Sequence, residues 1–554
     1  MPPLPNPSLN LTSIDRLIGR HRRQLKKAGV LTARPGWEIA GGQVTGRPAI
    51  VVSVERKKKR LPAAQRLPDE IQGVPVDVRP ASPLTRLRLA NPTAYAVAKR
   101  QVPPDKRPPE HPLERRVSDG RRLASIKPGK NPALTQDAAK TQIPYTPAAP
   151  ALKSVTRRMT IIACTSPDAG FSVLADFLGA VRKSLTVGLY DFTSAKLLEV
   201  MTTLLKKKSP QFRMVLDHPG VNPTANQTDD DTIRALQQAE PRAQITHALT
   251  RSDPWTSAWI FSDYHIKVAV RDSDSFWLSS GNWNVSNQPD FATGSANDGR
   301  YQDADRDWHV VIMDAGLAQL FEAAIEHDYT VAAAHQATPD AKVQQAIAEA
   351  MATLAKYAKK PGTEQNETPR IPFNLGKPRT FRSVPVTVQP LLTPDPGVAT
   401  TMYVEHVLAM ITSAKKTLYA QMQYFEPSNL PSDSNFMRLL NAVRDAVQRG
   451  VDVRLIASQY ESSHLEQMHD LGLTQVLRIQ QRVHNKGIIV DSAQVLVSSQ
   501  NWSAAGTLRN RDAGVIIQHA GIAKFFEAIF LEDWDHRSTP AQAAPPNPGG
   551  SSGH

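Results

Sequence analysis

Between residues 155 and 537 the chain repeats itself, and this duplication limits the possible folds more than any other feature. Thr165-Ser166-Pro167-Asp168 opens one copy and Leu392-Thr393-Pro394-Asp395 opens the other. An amphipathic helix follows in each, FSVLADFLGAVRKS in the first and YVEHVLAMITSAKK in the second. Each copy then runs into a β-rich stretch (LTVGLYDF; KTLYAQMQYF), a second helix (AKLLEVMTTLLKKK; FMRLLNAVRDAVQRG) and a strand (FRMVLD; VDVRLIAS). The closing segments, 306–329 and 511–534, align position by position as RDWHVVIMDAGLAQLFEAAIEHDY and RDAGVIIQHAGIAKFFEAIFLEDW. The alternation predicts the α/β class: two tandem α-β-α sandwich units, each built on a buried, largely parallel sheet.

Each copy carries the same polar constellation. The first reads Tyr264-His265-Ile266-Lys267, then VAVR and Asp272, then Ser279-Ser280-Gly281-Asn282-Trp283. The second reads Val483-His484-Asn485-Lys486, then GIIV and Asp491, then Ser498-Ser499-Gln500-Asn501-Trp502. On a strand, residues two apart point to one face, so His and Lys project together, and Ser and Asn do so on the next strand. Those groups suit a phosphodiester. Lysine and asparagine donate to non-bridging oxygens as charge develops, and serine adds a hydroxyl. One imidazole can attack phosphorus while a second protonates the leaving oxygen. A single unit has one such imidazole; two facing units have both. Asp272 and Asp491 lie a strand-length from the histidines and are expected to stabilise a turn or the unit interface.

A nucleophilic histidine needs an acid on its second nitrogen. The candidates are Asp307, 42 residues after His265, and Asp512, 28 after His484, both in the matched closing segments. The difference is an insertion in the first copy, NVSNQPDFATGSANDGRYQDAD, expected to form a loop at the site mouth. One H-x-K-x4-D alone would carry little weight, because a lone histidine beside a strand is usually a satisfied core residue. The doubling argues against coincidence. Lysine is not a sensible ligand for a divalent metal at neutral pH, and no Asp/Glu/His spacing predicts a metal site.

Residues 155–537 resemble the phospholipase D superfamily, whose signature is H-x-K-x4-D-x6-G-S-x-N in two copies. His265, Lys267, Ser280 and Asn282 match it, as do His484, Lys486, Ser499 and Asn501; Ser279 and Ser498 replace the family's glycine. The resemblance implies two units related by a pseudo-twofold with the site between them, a covalent phosphohistidine intermediate, and no metal or other cofactor. By analogy His265 is the nucleophile and His484 the general acid, an order the residues themselves leave open.

Net charge divides the chain. Residues 1–160 hold 31 Lys/Arg against 11 Asp/Glu, or +20, whereas the rest holds 35 against 41, or −6. Half of the 44 prolines fall within residues 1–150. Ser13 is a candidate N-cap for a helix through about Ala28, and Ala49–Val54 and Val74–Val78 read as strands. The expected organisation is a small basic α/β module (1–90), a Pro-rich basic linker (91–155), the first unit (156–335), a helix and connector (336–385), the second unit (386–537) and a disordered tail (538–554). The run Arg56-Lys57-Lys58-Lys59-Arg60 is either a solvated surface or part of a polyanion site. The single cysteine, Cys164, excludes an intrachain disulfide and a Cys-rich zinc site. With no apolar run of membrane length and no secretory signature, a cytoplasmic protein is expected, with residues 1–155 touching an anionic membrane or nucleic acid.

The substrate is less legible. Trp255, Trp259, Phe261 and Tyr264 approach the first motif, and Trp283 and Trp502 close each copy; these rings either line a substrate channel or belong to the core. The leading expectation is hydrolysis or transfer of phospholipid head groups. The alternative is a nuclease, to which the Asn-Trp pairs are similar in texture; a non-catalytic binding protein is the third.

Overall fold

The computed structural model describes residues 11–40, 43–57, 61–101, 111, 113–123, 152–217, 229–248, 263–290, 304–334, 376–394, 401–459 and 464–541, and a few positions between 345 and 356. The N-terminal strands are β1 (Val30–Ala40), β2 (Gln43–Val54), β3 (Glu70–Ile71), β4 (Val74–Pro80) and β5 (Arg115–Arg116), in the sheet order β3-β4-β2-β1-β5. The expected helix from Ser13 is two pieces, Leu11–Arg20 and Arg22–Leu25, whose Ile14, Leu17, Ile18 and Leu25 are buried on the sheet. Part of the stretch expected to be linker is folded: Pro92–Gln101 is helical and β5 pairs with β1. For β5 the physical reason is an ionic clamp, since Arg115 grips Asp15 with two hydrogen bonds of 2.8 Å and Arg122 adds a third at 3.1 Å.

This module is joined to the second unit. Glu466 accepts from Arg34 at 2.6 Å and from Arg79 at 3.1 Å. Trp37 donates to Asp470 at 3.1 Å, with its ring 4.4 Å from that of His469. Val44 enters the apolar core of the second unit.

In the first unit the strands are β6 (Val155–Ser166), β7 (Ser184–Leu189), β8 (Gln211–Leu216), β9 (Gln244–His247), β10 (Lys267–Arg271), β11 (Ser275–Ser279) and β12 (Asp307–Met313). Their counterparts are β13 (Arg379–Thr393), β14 (Thr417–Met422), β15 (Asp452–Ser458), β16 (Leu477–Gln480), β17 (Lys486–Val490), β18 (Gln494–Ser498) and β19 (Asp512–Gln518), followed by β20 (Ser538–Pro540). They form one continuous sheet in the order β20-β16-β15-β14-β17-β18-β19-β13-β6-β12-β11-β10-β7-β8-β9. Apart from the extra edge strand β20, the order mirrors itself about the β13–β6 pair, as a pseudo-twofold requires.

The sheet is mixed rather than largely parallel. Only β7-β8-β9 and β14-β15-β16 are parallel; β10, β11, β12 and β6 run antiparallel, as do β17, β18, β19 and β13. A hairpin replaces the crossover because Asp272-Ser273 and Asp491-Ser492 take left-handed backbone, with φ of 53°, 55°, 51° and 53°, and turn the chain within three residues. Ser538–Pro540, expected to open a disordered tail, adds β20 beside β16; residues 542–554 lie outside the described residues.

Helices Ala315–Ala334 and Ala520–His536 contribute Phe321 and Ile325, and Phe526 and Phe530, to one apolar core that crosses the unit boundary. Trp308 of the first unit lies 4.8 Å from the ring of Phe526 of the second. Gly487 makes that contact possible, since a Cβ there would sit 2.3 Å from the Trp308 ring.

Candidate active site

The motif residues lie at strand ends. His265 precedes β10 and Lys267 opens it; Ser280 and Asn282 follow β11, and the second copy repeats this around β17 and β18. The residues before each histidine then reach across to the other unit. Arg511 N–H donates to the Asp263 carbonyl at 2.9 Å, and Arg306 N–H donates to that of Arg482 at 2.7 Å. Arg511 precedes Asp512 and Arg306 precedes Asp307, so these bonds carry each aspartate to the histidine of the opposite unit.

The pairing is therefore crossed. His265 Nδ1 lies 2.8 Å from Asp512 Oδ1 and 3.1 Å from the Ser499 carbonyl. His484 Nδ1 lies 3.0 Å from Asp307 Oδ1. Ser280 Oγ donates to Asp307 at 2.7 Å and Ser499 Oγ to Asp512 at 2.5 Å, so the motif serines hold the aspartates. Lys267 and Lys486 are fully buried and donate to the carbonyls of His265 and His484. Lys486 Nζ also lies 3.2 Å from His484 Nε2. The Oδ1 atoms of Asn282 and Asn501 are buried without a hydrogen-bond partner.

Burial dominates the electrostatics. It pushes the Lys267 ammonium down to about 7, against the attraction of Asp512, and pushes the Asp512 carboxyl up to about 7, against Lys267. Asp307 is raised for the same reason, with Lys486 opposing. In so dry a site the ammonium and carboxylate charges stand or fall together. Among the described residues no group of three or more His, Cys, Asp or Glu is placed to hold a metal.

The remaining candidates fall elsewhere. Asp272 accepts from the N–H groups of Arg182, Lys183 and Ser184, and Asp491 from those of Lys415, Lys416 and Thr417, so each clamps a hairpin to the start of β7 or β14. They touch neither histidine nor the other unit. Tyr264, Trp283 and Trp502 are buried in the cores and do not line an open channel: Trp283 packs edge-on against Phe192 at 5.0 Å, and Trp502 donates to the Tyr403 hydroxyl at 3.1 Å. Trp255 and Trp259 lie outside the described residues, as do Lys58, Lys59 and Arg60; Arg56 and Lys57 are exposed.

Four charged residues escaped the sequence reading. Arg306 forks onto Asp533 at 2.8 and 3.0 Å, and Arg511 forks onto Asp328 at 2.8 and 2.6 Å. Both pairs are buried and both cross the unit boundary. The signal was present, because the arginine and the aspartate occupy matched positions in the aligned closing segments. Asn287 was missed as well; it donates to Asp307 Oδ2 at 3.0 Å.

The family model described as the PLD-like domain of cardiolipin synthase matches residues 407–534. No curated protein sequence matches the chain. Phosphatidylserine synthase of Haemophilus influenzae Rd KW20 aligns with a TM-score of 0.46 and 13% identity, covering 68% of this chain and 87% of its own. Nuc, a phospholipase D family member from Salmonella typhimurium, aligns with a TM-score of 0.23 and 20% identity, covering 28% of this chain and 99% of its own. The matched span holds the second motif, from His484 to Asn501, so the resemblance to the phospholipase D superfamily is carried in this unit by the family model and the site residues together.

Proposed function

We propose that the protein is a metal-independent phosphodiesterase of phospholipase D type that hydrolyses or transfers phospholipid head groups. The observation that carries it is the crossed pair of histidines, each held through Nδ1 by an aspartate of the other unit. With Nδ1 so engaged, His265 Nε2 attacks phosphorus: a P–N bond forms and the P–O bond to the leaving group breaks. His484 gives its Nε2 proton to that oxygen, then takes a proton from the incoming water or alcohol, which displaces the imidazole and frees His265. Lys267, Lys486, Asn282 and Asn501 donate to the non-bridging oxygens.

The lipid reading is supported by the description of the matched family model and by two exposed apolar side chains near the motif segments. Val285, 66% exposed, lies three residues beyond Asn282; Leu430, 63% exposed, lies on the loop whose Glu426 N–H bonds the Trp502 carbonyl. No described helix is long and apolar enough to cross a membrane. A nuclease is the second reading, favoured by the +20 carried by residues 1–160.

The test is head-group release from mixed-lipid micelles and cleavage of DNA and RNA, all in EDTA, with wild type and His484→Ala. Release abolished by His484→Ala supports the lipid reading. Nucleic-acid cleavage without lipid turnover would replace it with the nuclease, and inactivity on both would leave a binding protein. Labelled phosphate trapped on wild type and absent from His265→Ala assigns the nucleophile; label that persists in that variant reverses the two roles.

A further inference from the structure

The structure assigns a second anion site, for a phosphate monoester group, to a cavity in the N-terminal module. It has a volume of about 180 Å³ and lies between the helical pieces Leu11–Arg20 and Arg22–Leu25, strand β1, and the turn after β5. Ile18, Leu25, Ala33 and Val117, all buried, form an apolar floor, and Arg22, Arg115 and Arg116 stand around it.

The charge of this wall is not balanced from within. Asp15 is already shared between two guanidiniums, Arg115 and Arg122. Among the described residues neither Arg22 nor Arg116 is paired with a carboxylate, and both are only partly exposed. Arg116 spends one amine on the Leu89 carbonyl at 2.5 Å. The acidic side chain on the lining, Asp119, is exposed and accepts from the Arg121 N–H in its own turn. Guanidiniums suit a compact oxyanion because their planar forks match two of its oxygens at once. Gly120 keeps the space open, with φ of +74°: a Cβ there would stand 2.7 Å from Arg22 Nη1.

The position connects the cavity to the catalytic body. Ala33 faces the cavity, while the next residue of β1, Arg34, makes the 2.6 Å bridge to Glu466 of the second unit. Adjacent strand residues face opposite sides, so an anion in the cavity sits on the reverse of the module–unit joint. The +20 of the N-terminal segment thereby has a defined receptor and not only a diffuse field.

The experiment is calorimetric titration of the full chain with inorganic phosphate. The wild type should show a saturable site that weakens about tenfold or more in Arg22→Gln/Arg116→Gln, with partial recovery in Arg22→Lys/Arg116→Lys. Inhibition of turnover by phosphate reports the catalytic site separately and should be unchanged in these variants. Equal phosphate affinity in the wild type and the Gln variant overturns the proposal. Loss in both the Gln and the Lys variants, with a lowered melting temperature, also overturns it, because the arginines would then be structural. Vesicles containing phosphatidate, compared with phosphatidylcholine alone, distinguish a lipid-borne phosphate from a free one; retention that needs phosphatidate and the two arginines identifies the lipid source, and its absence beside phosphate binding identifies the free one.

Discussion

Asp512 Oδ1 stands 2.8 Å from Nδ1 of His265, a residue of the other unit and 247 positions away. Spacing along the sequence puts each aspartate with the histidine of its own copy. The fold puts it with the opposite one, so neither unit holds a complete histidine–carboxylate pair.

Replacing either acid should therefore disable the histidine of the other unit. Asp512→Asn is expected to lower kcat by on the order of 10²–10⁴-fold and to slow formation of the phosphohistidine. Asp307→Asn should lower kcat similarly while stalling protonation of the leaving group, so that a substrate with a good leaving group recovers much of the rate. Single-turnover trapping of labelled phosphate separates the two. A larger recovery with Asp512→Asn than with Asp307→Asn would reverse the assignment.

The pH dependence of turnover should be bell-shaped around neutrality. As pH falls through about 7 the Asp512 carboxylate takes a proton and stops fixing His265; as pH rises through about 7 the Lys267 ammonium is lost. The two limbs belong to the coupled cluster and not to either residue alone. Lys267→Met should abolish turnover without leaving an alkaline limb to measure, whereas Asp512→Asn should remove the acid limb from its residual activity.

The crossed arginines should matter most to folding. Arg511→Met strands the buried Asp328 carboxylate, at a cost of about 3–5 kcal/mol in urea unfolding. Arg511→Met/Asp328→Leu should recover most of that loss, since neither charge then remains. If the double variant is no more stable than the single one, the pair is not the interaction that holds the boundary.

Gly487→Val tests the boundary on its apolar side. The first copy has Val268 at the matching position, but Gly487 faces Trp308, and a Cβ would approach its ring to 2.3 Å. The expected cost is about 1–3 kcal/mol or more, with loss of activity as the units part. Val268→Gly, in the first copy, should lose stability only.

His309 gives a separate acid sensitivity. It is buried between the hydroxyls of Ser166 and Ser279, both at 2.8 Å, and burial lowers it to about 4 from 6.5. The unfolded chain therefore binds a proton that the native chain refuses, and stability present above pH 6.5 drains away as pH falls towards 4. Between pH 7 and 5 this amounts to about 2 kcal/mol. Urea unfolding of His309→Gln at the two pH values should show a drop smaller by that amount.

The sequence by itself determined the duplication, the α/β class and the identity of the motif residues, because side-chain types at fixed spacing are a local property. It also offered Asp307 and Asp512 as the candidate acids, through the alignment of the closing segments. It left Arg306, Arg511, Asp328 and Asp533 unread, although they sit in those same segments, since a buried ion pair between units has no spacing along the chain. The mixed sheet went unread because the hairpins depend on left-handed turns at Asp272-Ser273 and Asp491-Ser492, which no apolar pattern announces. Trp283 and Trp502 were legible as aromatic, with channel and core both open, and burial in the tertiary structure places them in the core. Only the tertiary structure decided which acid serves which histidine. That choice is made where Arg511 and Arg306 bond the backbone of the opposite unit, a contact between segments more than 170 residues apart.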